Sequence, residues 1–403
     1  MSPPRIGCWF IGARGGVAAS ATLGLIALQK GLTDSIGLVS ELPQFTGLDL
    51  LPWDSFVVGG HEIRSGSIAE SLERLHKESR VFDTAIVTAC EAELKAADSR
   101  IRGGTLANCG STISGLACPN MQKFAAETAT DTIKRLQSDL KAFQEESKLD
   151  RVIVVNVSST EPANESLRLP ERWEELDRQL KDKAVTALPA SSLYAIAAFD
   201  LGMAYVNFTP SLGASPAAIQ DLAKLRGTCT AGQDGKTGET LLKSVLAPMF
   251  AARHLEVLSW VGHNIFGNLD GVVLDDPANK ASKVKSKNQL VKSILGYDPQ
   301  TLVSIEYIRS LGDWKTAWDH IHFKGFLGTL MTLQLTWQGC DSLLAAPLVL
   351  DLVRFVELSR RKKEVGVLPH LGSFFKSPLG LEEHDFSRQF ILLCDWAQRH
   401  AKV

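Results

Sequence analysis

The chain has 403 residues, 45% of them hydrophobic and 22% charged, which excludes a wholly disordered, collagen-like or coiled-coil protein. Its 43 basic and 45 acidic side chains leave a net charge of −2, so no global field draws it to nucleic acid or acidic membranes. The seven cysteines are scattered without a CxxC pair, against a disulfide framework or structural zinc and for a reducing compartment.

In chain order, Arg5–Gly12 is a short apolar run ending on glycine. It is followed by Gly12-Ala13-Arg14-Gly15-Gly16-Val17 and a small-residue helical pattern to Lys30. Strand, glycine turn and helix are the first unit of a dinucleotide-binding fold, whose helix N-terminus offers backbone N–H groups to a pyrophosphate. Arg14 occupies the place of the second glycine of GxGxxG. The stretch Val17–Leu28 also has the look of a signal-peptide core, but a strand precedes it and no cleavage site follows. Further buried strands are expected at Ile36–Val39, Thr84–Thr88, Val152–Val157 and Ala204–Phe208, with a helix over Met121–Glu146. Alternating strands and helices predict an α/β, Rossmann-like parallel sheet covered on both faces. Glu41, after the expected second strand, is the candidate for the ribose of a bound dinucleotide.

Beyond residue 262 the rhythm changes. Lys280–Leu295 reads as a helix closed by Gly296, Leu302–Ile308 and Phe323–Trp337 as strands of a more exposed sheet. Asp341–Lys363 is a long, densely apolar helix that should be buried, and a last helix starts near His384. The rhythm puts a domain border near residue 262; the family resemblance set out below implies a Rossmann-like domain over 1–262, completed by 367–403, with an inserted α+β catalytic and oligomerisation domain over 263–366. No apolar run reaches the about 18 residues that span a bilayer, which fits a cytoplasmic enzyme.

Lysines supply the most unusual chemistry. Lys283 and Lys287 share one face of the expected helix, flanked by Lys280, Lys285 and Lys292 with no acid between Asn279 and Ser293. Such a face is either solvated or binds phosphate. Lys315 and Lys376 stand singly in apolar or turn-like surroundings, as snorkelling side chains or as groups that polarise a carbonyl. Asn264–Gly271 and Gly232–Gly238 read as polar turns able to hold sugar hydroxyls. His320 and His322 fit alternating strand positions better than a metal pair.

Taken together these segments resemble the myo-inositol-1-phosphate synthase family. Ser191-Ser-Leu-Tyr-Ala195 is similar to its S-T-L-Y-A, and Asp234-Gly-Lys236-Thr237-Gly238 with Leu242–Leu246 to its D-x-K-[ST]-G…L-K-S-V-L. Asn264–Gly271 resembles N-H-L-G-N-N-D-G, and Ser282-Lys283 with Lys287 resembles S-K-x-x-x-K. Gly312–Lys315, Asp341–Pro347 and Phe375–Leu379 resemble G-D-S-K, D-S-L-L-A-[AT]-P and the terminal lysine segment.

The resemblance implies an NAD-dependent isomerase that cyclises D-glucose 6-phosphate to 1L-myo-inositol 1-phosphate. C5 is oxidised, C6 is enolised, the enolate closes on the C1 aldehyde, and C5 is reduced again. By carry-over Lys283 is acid/base at the C5 oxygen, Lys287 and Lys315 stabilise enolate and phosphate, and Lys376 polarises C1. Asp234, Asp313 and Asp341 orient lysines, cofactor or substrate; Gly12, Ala13, Arg14, Gly15, Gly16, Val17, Glu41 and Thr160 meet the cofactor. Ser191, Lys236, Thr237, Gly238, Asn264, Gly267, Asn268 and Asp270 join the lysines around the phosphosugar. A homo-tetramer is also implied, with a divalent or monovalent cation left open and neither nucleic acid nor membrane as partner. Departures from the family pattern stand at Arg14, Gln233, Ile265, Leu269, Asn288-Gln289 and Cys340. Another phosphosugar substrate, or a sugar-phosphate dehydrogenase with net redox, is the alternative; a non-enzymatic NAD scaffold has no use for the four lysines.

Overall fold

The computed structural model describes residues 3–124, 126–164, 166–182, 187–268, 271 and 290–402. A seven-stranded parallel sheet forms its centre, from β1 (Ile6–Ile11), β2 (Phe56–Glu62), β3 (Ile101–Gly103), β4 (Arg151–Asn156), β5 (Ala204–Asn207), β6 (Cys229–Gly232) and β11 (Gly366–Val367). Its order, β3-β2-β1-β4-β5-β6-β11, reverses direction between β1 and β4, the switch point at which such sheets bind their ligands. β1 and β4 lie side by side, Ile6 opposite Arg151 through Ile11 opposite Asn156. Every residue of β1 is buried, as expected of a central parallel strand without a solvated face.

Two helical layers cover the sheet. One contains α1 (Gly16–Gln29), α2 (Ile68–Ser79), α3 (Thr84–Ala89) and α4 (Glu91–Asp98), packed with the long helix named below. The other contains α6 (Ala129–Glu146), α7 (Trp173–Lys181), α8 (Ala190–Asp200) and α9 (Ala217–Leu225), with the short α5 (Ser111–Gly115) at the periphery. A second, four-stranded sheet has the order β10-β9-β7-β8, from β7 (Glu256–Phe266), β8 (Gln300–Tyr307), β9 (Trp314–Lys324) and β10 (Leu330–Cys340). α10 (Gly238–Ala252) covers one of its faces through Ala247 and Phe250 against Trp260 and Ile321. The other face, carrying Trp318, His320 and Gln334, is open. α11 (Asp341–Arg361) and α12 (Phe386–His400) return to the parallel sheet.

Several expectations change. Ile36–Val39 is no strand: Ile36 is 86% exposed, and the chain winds into short 3₁₀ turns. The strand beside β1 is Phe56–Glu62, whose two glycines and polar end disguise a buried element. Thr84–Thr88 is helical because Asp83 caps it, accepting from Ala85 N at 2.8 Å, and none of its residues is buried. Helix α6 begins at Ala129 rather than Met121, where Thr128 accepts from Asp131 N. Phe323–Trp337 splits into the β9–β10 hairpin, turning through Gly325–Thr329 with Leu327 at φ 58°. Residues 290–295 are helical and Gly296 closes them at φ 78°; the remainder of the expected Lys280–Leu295 helix lies outside the described residues. The second sheet starts at Glu256, and α11 packs along α1 with Val349, Leu352 and Val353 in the core of the parallel sheet.

Candidate active site

One cavity of about 600 Å³ runs along the C-terminal ends of β1, β2, β4, β5 and β6, where Gly12, Glu62, Ser158, Thr209 and Asp234 line it. The glycine turn forms one wall. Gly12 and Ala13 donate to His61 O at 2.9 and 3.1 Å, and Gly15 N donates back to Gly12 O at 2.8 Å. Gly12 stands at φ 83°, and a Cβ there would come 2.9 Å from Ser158 Cα. A Cβ on Gly16 would meet Ser342 Oγ at 2.4 Å. Gly16 and Val17 open α1, so their N–H groups have no helical acceptor and border the cavity. Open donors, a cradle closed to any Cβ, and the serine and threonine hydroxyls of 158–160 fit a dinucleotide pyrophosphate. Gly12→Ala is expected to cost about 1–3 kcal/mol of stability through the strained turn, and to weaken NAD binding; thermal unfolding and calorimetric titration check both.

Beneath the turn, Trp9 Nε1 donates to His61 Nδ1 at 2.8 Å. His61 therefore carries its proton on Nε2, facing Asp139 Oδ2 at 3.1 Å, and burial keeps its pKa low. Arg14 has turned away from the cavity: its guanidinium grips Asp98 at 3.0 and 3.1 Å, and only its backbone N–H, held by Glu62 Oε2, serves the turn. Glu41 is also elsewhere, paired with the buried Arg354 of α11 and accepting from Trp53 Nε1 at 3.1 Å. Glu62, at the end of the true second strand, lines the cavity in its stead. Burial pushes the Glu62 pKa up, but Arg64 and the backbone donors around it outweigh this and hold it low.

After β4, Ser158 is fixed by Asn156 Oδ1, which accepts from both its N and its Oγ. Thr160 and Glu161 follow and line the cavity. Glu161 accepts from Ser191 N at 2.8 Å and from Ser191 Oγ, and burial pushes its pKa up to about 7.

Two lysines close the far end, each with its own carboxylate. Lys376 Nζ lies 2.9 Å from Asp234 Oδ1. Lys315 Nζ lies 3.6 Å from Asp341 Oδ2 and 5.0 Å from the centre of the Phe266 ring. Asp313 is buried behind them and accepts from Asn268 Nδ2, Cys340 Sγ, Ser342 N and Ser342 Oγ at 2.7–3.0 Å. Burial raises its pKa more than these donors lower it. Gly267, Asn268 and Thr237 also border the cavity.

Ala13, Gly238, Asn264 and Lys236 do not line it. Asn264 is fully buried within β7, and Gly238 opens α10 against Trp337. Lys236 points the other way and donates to Gln389 Oε1 of α12. Burial pushes its pKa down from 10.5 to about 7. Between these values the unfolded chain binds a proton that the folded chain does not, so this residue makes stability rise with pH from 7 to about 10. Chemical unfolding at pH 7 and 9 should show that gain, at most about 1.4 kcal/mol per unit, in the wild type and not in Lys236→Met. Asp270, Lys283 and Lys287 lie outside the described residues.

Sequence reasoning missed Glu62, Glu161 and Ser342. The first was hidden by the misplaced second strand, and the second was readable only as the acid following a strand end. Ser342 has no signal apart from its place at the start of α11.

A family model described as myo-inositol-1-phosphate synthase, of an NAD-binding class, matches residues 6–398. Inositol-3-phosphate synthase 1 of Bacteroides thetaiotaomicron is 30% identical over 96% of this chain and 91% of its own length. The crystal structure of inositol-3-phosphate synthase from Caenorhabditis elegans has a TM-score of 0.84 at 21% identity, covering 98% of this chain and 86% of that one. A myo-inositol-1-phosphate synthase-related protein from Thermotoga maritima gives 0.79 at 24% identity, over 99% of this chain and 100% of that one. Both structures share the fold, while the sequence match runs from the first strand into the last helix. On that match the chain belongs to the NAD-binding myo-inositol-1-phosphate synthase family.

Proposed function

We propose that the protein is an isomerase that converts D-glucose 6-phosphate into 1L-myo-inositol 1-phosphate. The observation carrying this reading is the pairing of Lys315 with Asp341 and of Lys376 with Asp234 in the cavity that also holds the glycine turn. A dehydrogenase with net redox has no need of two such pairs. Intramolecular aldol closure must stabilise oxyanions at two carbons of one substrate.

NAD, when bound, would supply the reversible hydride acceptor for C5. Gly12, Gly15, Gly16 and Val17 would hold its pyrophosphate, with Ser158, Thr160, Asp313 and Asp341 lining the same cavity. Lys315 stabilises the enolate oxygen at C5. Asp341 aims that ammonium, and the Phe266 ring covers one side of it. Lys376, oriented by Asp234, polarises the C1 aldehyde and protonates the new hydroxyl. Lys283 serves as acid/base at the C5 oxygen, and Lys287 takes the phosphate with the amides and hydroxyls of Asn268 and Thr237.

The protein is further read as a cytoplasmic homo-tetramer assembled through the open face of the second sheet, where Trp318 is 44% exposed. Light scattering of the purified protein tests the assembly. Phosphorus NMR with glucose 6-phosphate and catalytic NAD+ tests the reaction. An inositol monophosphate without lasting NADH absorbance is the expected result, whereas stoichiometric NADH would make the protein a dehydrogenase. No turnover by protein that binds NAD would point to another phosphosugar.

A further inference from the structure

Among the described residues Glu161 has no ion-pair partner, although it is only 8% exposed and lines the same cavity as the glycine turn. The cavity's other carboxylates are paired: Glu62 with Arg64, Asp341 with Lys315 and Asp234 with Lys376. Glu161 rests on neutral donors instead, Ser191 N at 2.8 Å, Ser191 Oγ and the Ser211 hydroxyl. A buried carboxylate without a cation is relieved by taking a proton. A dinucleotide raises that pressure. On the reading given above its pyrophosphate lies at the glycine turn, where Gly12 packs on Ser158. Glu161 follows Ser158 by three residues, at most about 11 Å of chain. Across such a distance inside a protein, one phosphate charge disfavours an ionised carboxylate by about tenfold.

The geometry has a place for the proton. Ser191 Oγ donates to Glu161 and accepts from Gly213 N at 3.0 Å, which leaves it one open lone pair. A protonated carboxyl donates into that lone pair, and the serine hydrogen is free to turn toward the cavity that Ser191 also lines. A negative charge is exchanged for a donor, and both changes favour an anionic ligand. The titratable groups facing Glu161 do not compete. Burial raises the pKa of Cys109, of Tyr194 on α8 and of Tyr205 on β5, so all three stay neutral near pH 7. His61, against Tyr194, has its pKa lowered by burial. Residues 158–160 and 209–213 bring hydroxyls and no charge, and Arg135 of α6 is held by Glu127 at 2.7 Å.

We infer that Glu161 is a cofactor-site residue that takes up a proton from solvent as the dinucleotide binds, so that NAD+ is held most tightly below neutral pH. The inference rests on the dinucleotide reading of the cavity.

Calorimetric titration of the full chain with NAD+, in two buffers of different ionisation enthalpy, counts the protons. Roughly half a proton per NAD+ is expected at pH 7.5, and affinity should fall about five- to tenfold from pH 6 to pH 8.5. Glu161→Gln imitates the protonated carboxyl, with a carbonyl for Ser191 N and an amide for Ser191 Oγ. It should take up no proton and bind at pH 8.5 as the wild type does at pH 6. Ser191→Ala removes a donor to the ionised form, so its proton uptake should peak at higher pH than in the wild type. Circular dichroism confirms folding, and if the glutamine variant does not fold this shift carries the comparison, its absence counting against the inference. NAD+ binding without proton uptake, or uptake that survives Glu161→Gln, overturns the inference while leaving the cavity a dinucleotide site. No binding of NAD+ by folded protein overturns the dinucleotide reading itself.

Discussion

Lys376→Met is expected to lower kcat by roughly 10³-fold or more, about 4 kcal/mol of transition-state stabilisation, while NAD binding stays near wild type. The separation follows from how the segment is held. Lys376 N donates to Asp234 O at 2.6 Å, Lys236 N to Phe374 O at 2.8 Å, Ser377 N to Gln233 O at 3.2 Å and Leu379 N to Gly232 O at 2.6 Å. Gly235 and Phe375 are bridged antiparallel, and Phe375 is buried. These backbone contacts survive loss of the ammonium, so the variant keeps its fold and the glycine turn is untouched. What goes is the cation beside the aldehyde, together with the partner of Asp234. Methionine fills the volume without the charge, and Lys236, in the same turn as Asp234, faces Gln389 instead. Steady-state kinetics paired with calorimetry decide the matter. A variant that turns over at the wild-type rate removes Lys376 from the reaction, and one that loses NAD affinity equally makes it a structural residue.

The fold was legible wherever burial was continuous. Ile6–Ile11 and Val152–Val155 carry unbroken apolar runs because both faces of the parallel sheet are covered, and the glycines that follow β1 announce the turn. Legibility failed where local composition and tertiary environment disagreed. Thr84-Ala-Ile-Val-Thr88 has strand propensity, yet it lies on the surface, where the Asp83 cap decides the outcome. Phe56–Glu62 looks too polar and too rich in glycine for a core strand, but its glycines admit Trp9, Phe10 and Phe143 against the backbone. That one misplacement moved the acidic residue from Glu62 to Glu41. Directions were not legible either. Asp234 and Lys236 sit two apart in the same turn, and nothing in their spacing says that one faces the cavity and the other a helix from the far end of the chain. The paired lysines and carboxylates came only from the resemblance to a family, since Lys315 and Asp341, or Lys376 and Asp234, are separated too far for any local pattern.

Asp313→Ala is expected to destabilise the protein by roughly 3–5 kcal/mol, the other large effect. Its carboxylate is the common acceptor of Asn268, Cys340 and Ser342, while its own N–H donates to Ser79 Oγ at 2.8 Å and its carbonyl accepts from Asp341 N at 3.1 Å. Three parts of the molecule meet there: the end of α2, the turn after β7, and the start of α11. Alanine keeps the backbone bonds and leaves the four side-chain and cap donors without their common acceptor, with Cys340 and Ser342 buried. Asparagine is informative because its shape fits and its chemistry does not. One carboxylate oxygen becomes an NH₂ group pointed at donors, either Asn268 Nδ2 and Ser342 Oγ or Cys340 Sγ and Ser342 N. Its cost should be about 2 kcal/mol, smaller than that of alanine because one pair remains satisfied. Activity should fall further than stability in both variants, by roughly 10²-fold at temperatures where each is folded, since α11 carries Asp341 and with it the aim of Lys315. Denaturant unfolding and kinetics on the same preparations separate the two effects. If Asp313→Asn is as stable and as active as the wild type, the carboxylate is not the hub that holds Asp341 and Lys315 in place.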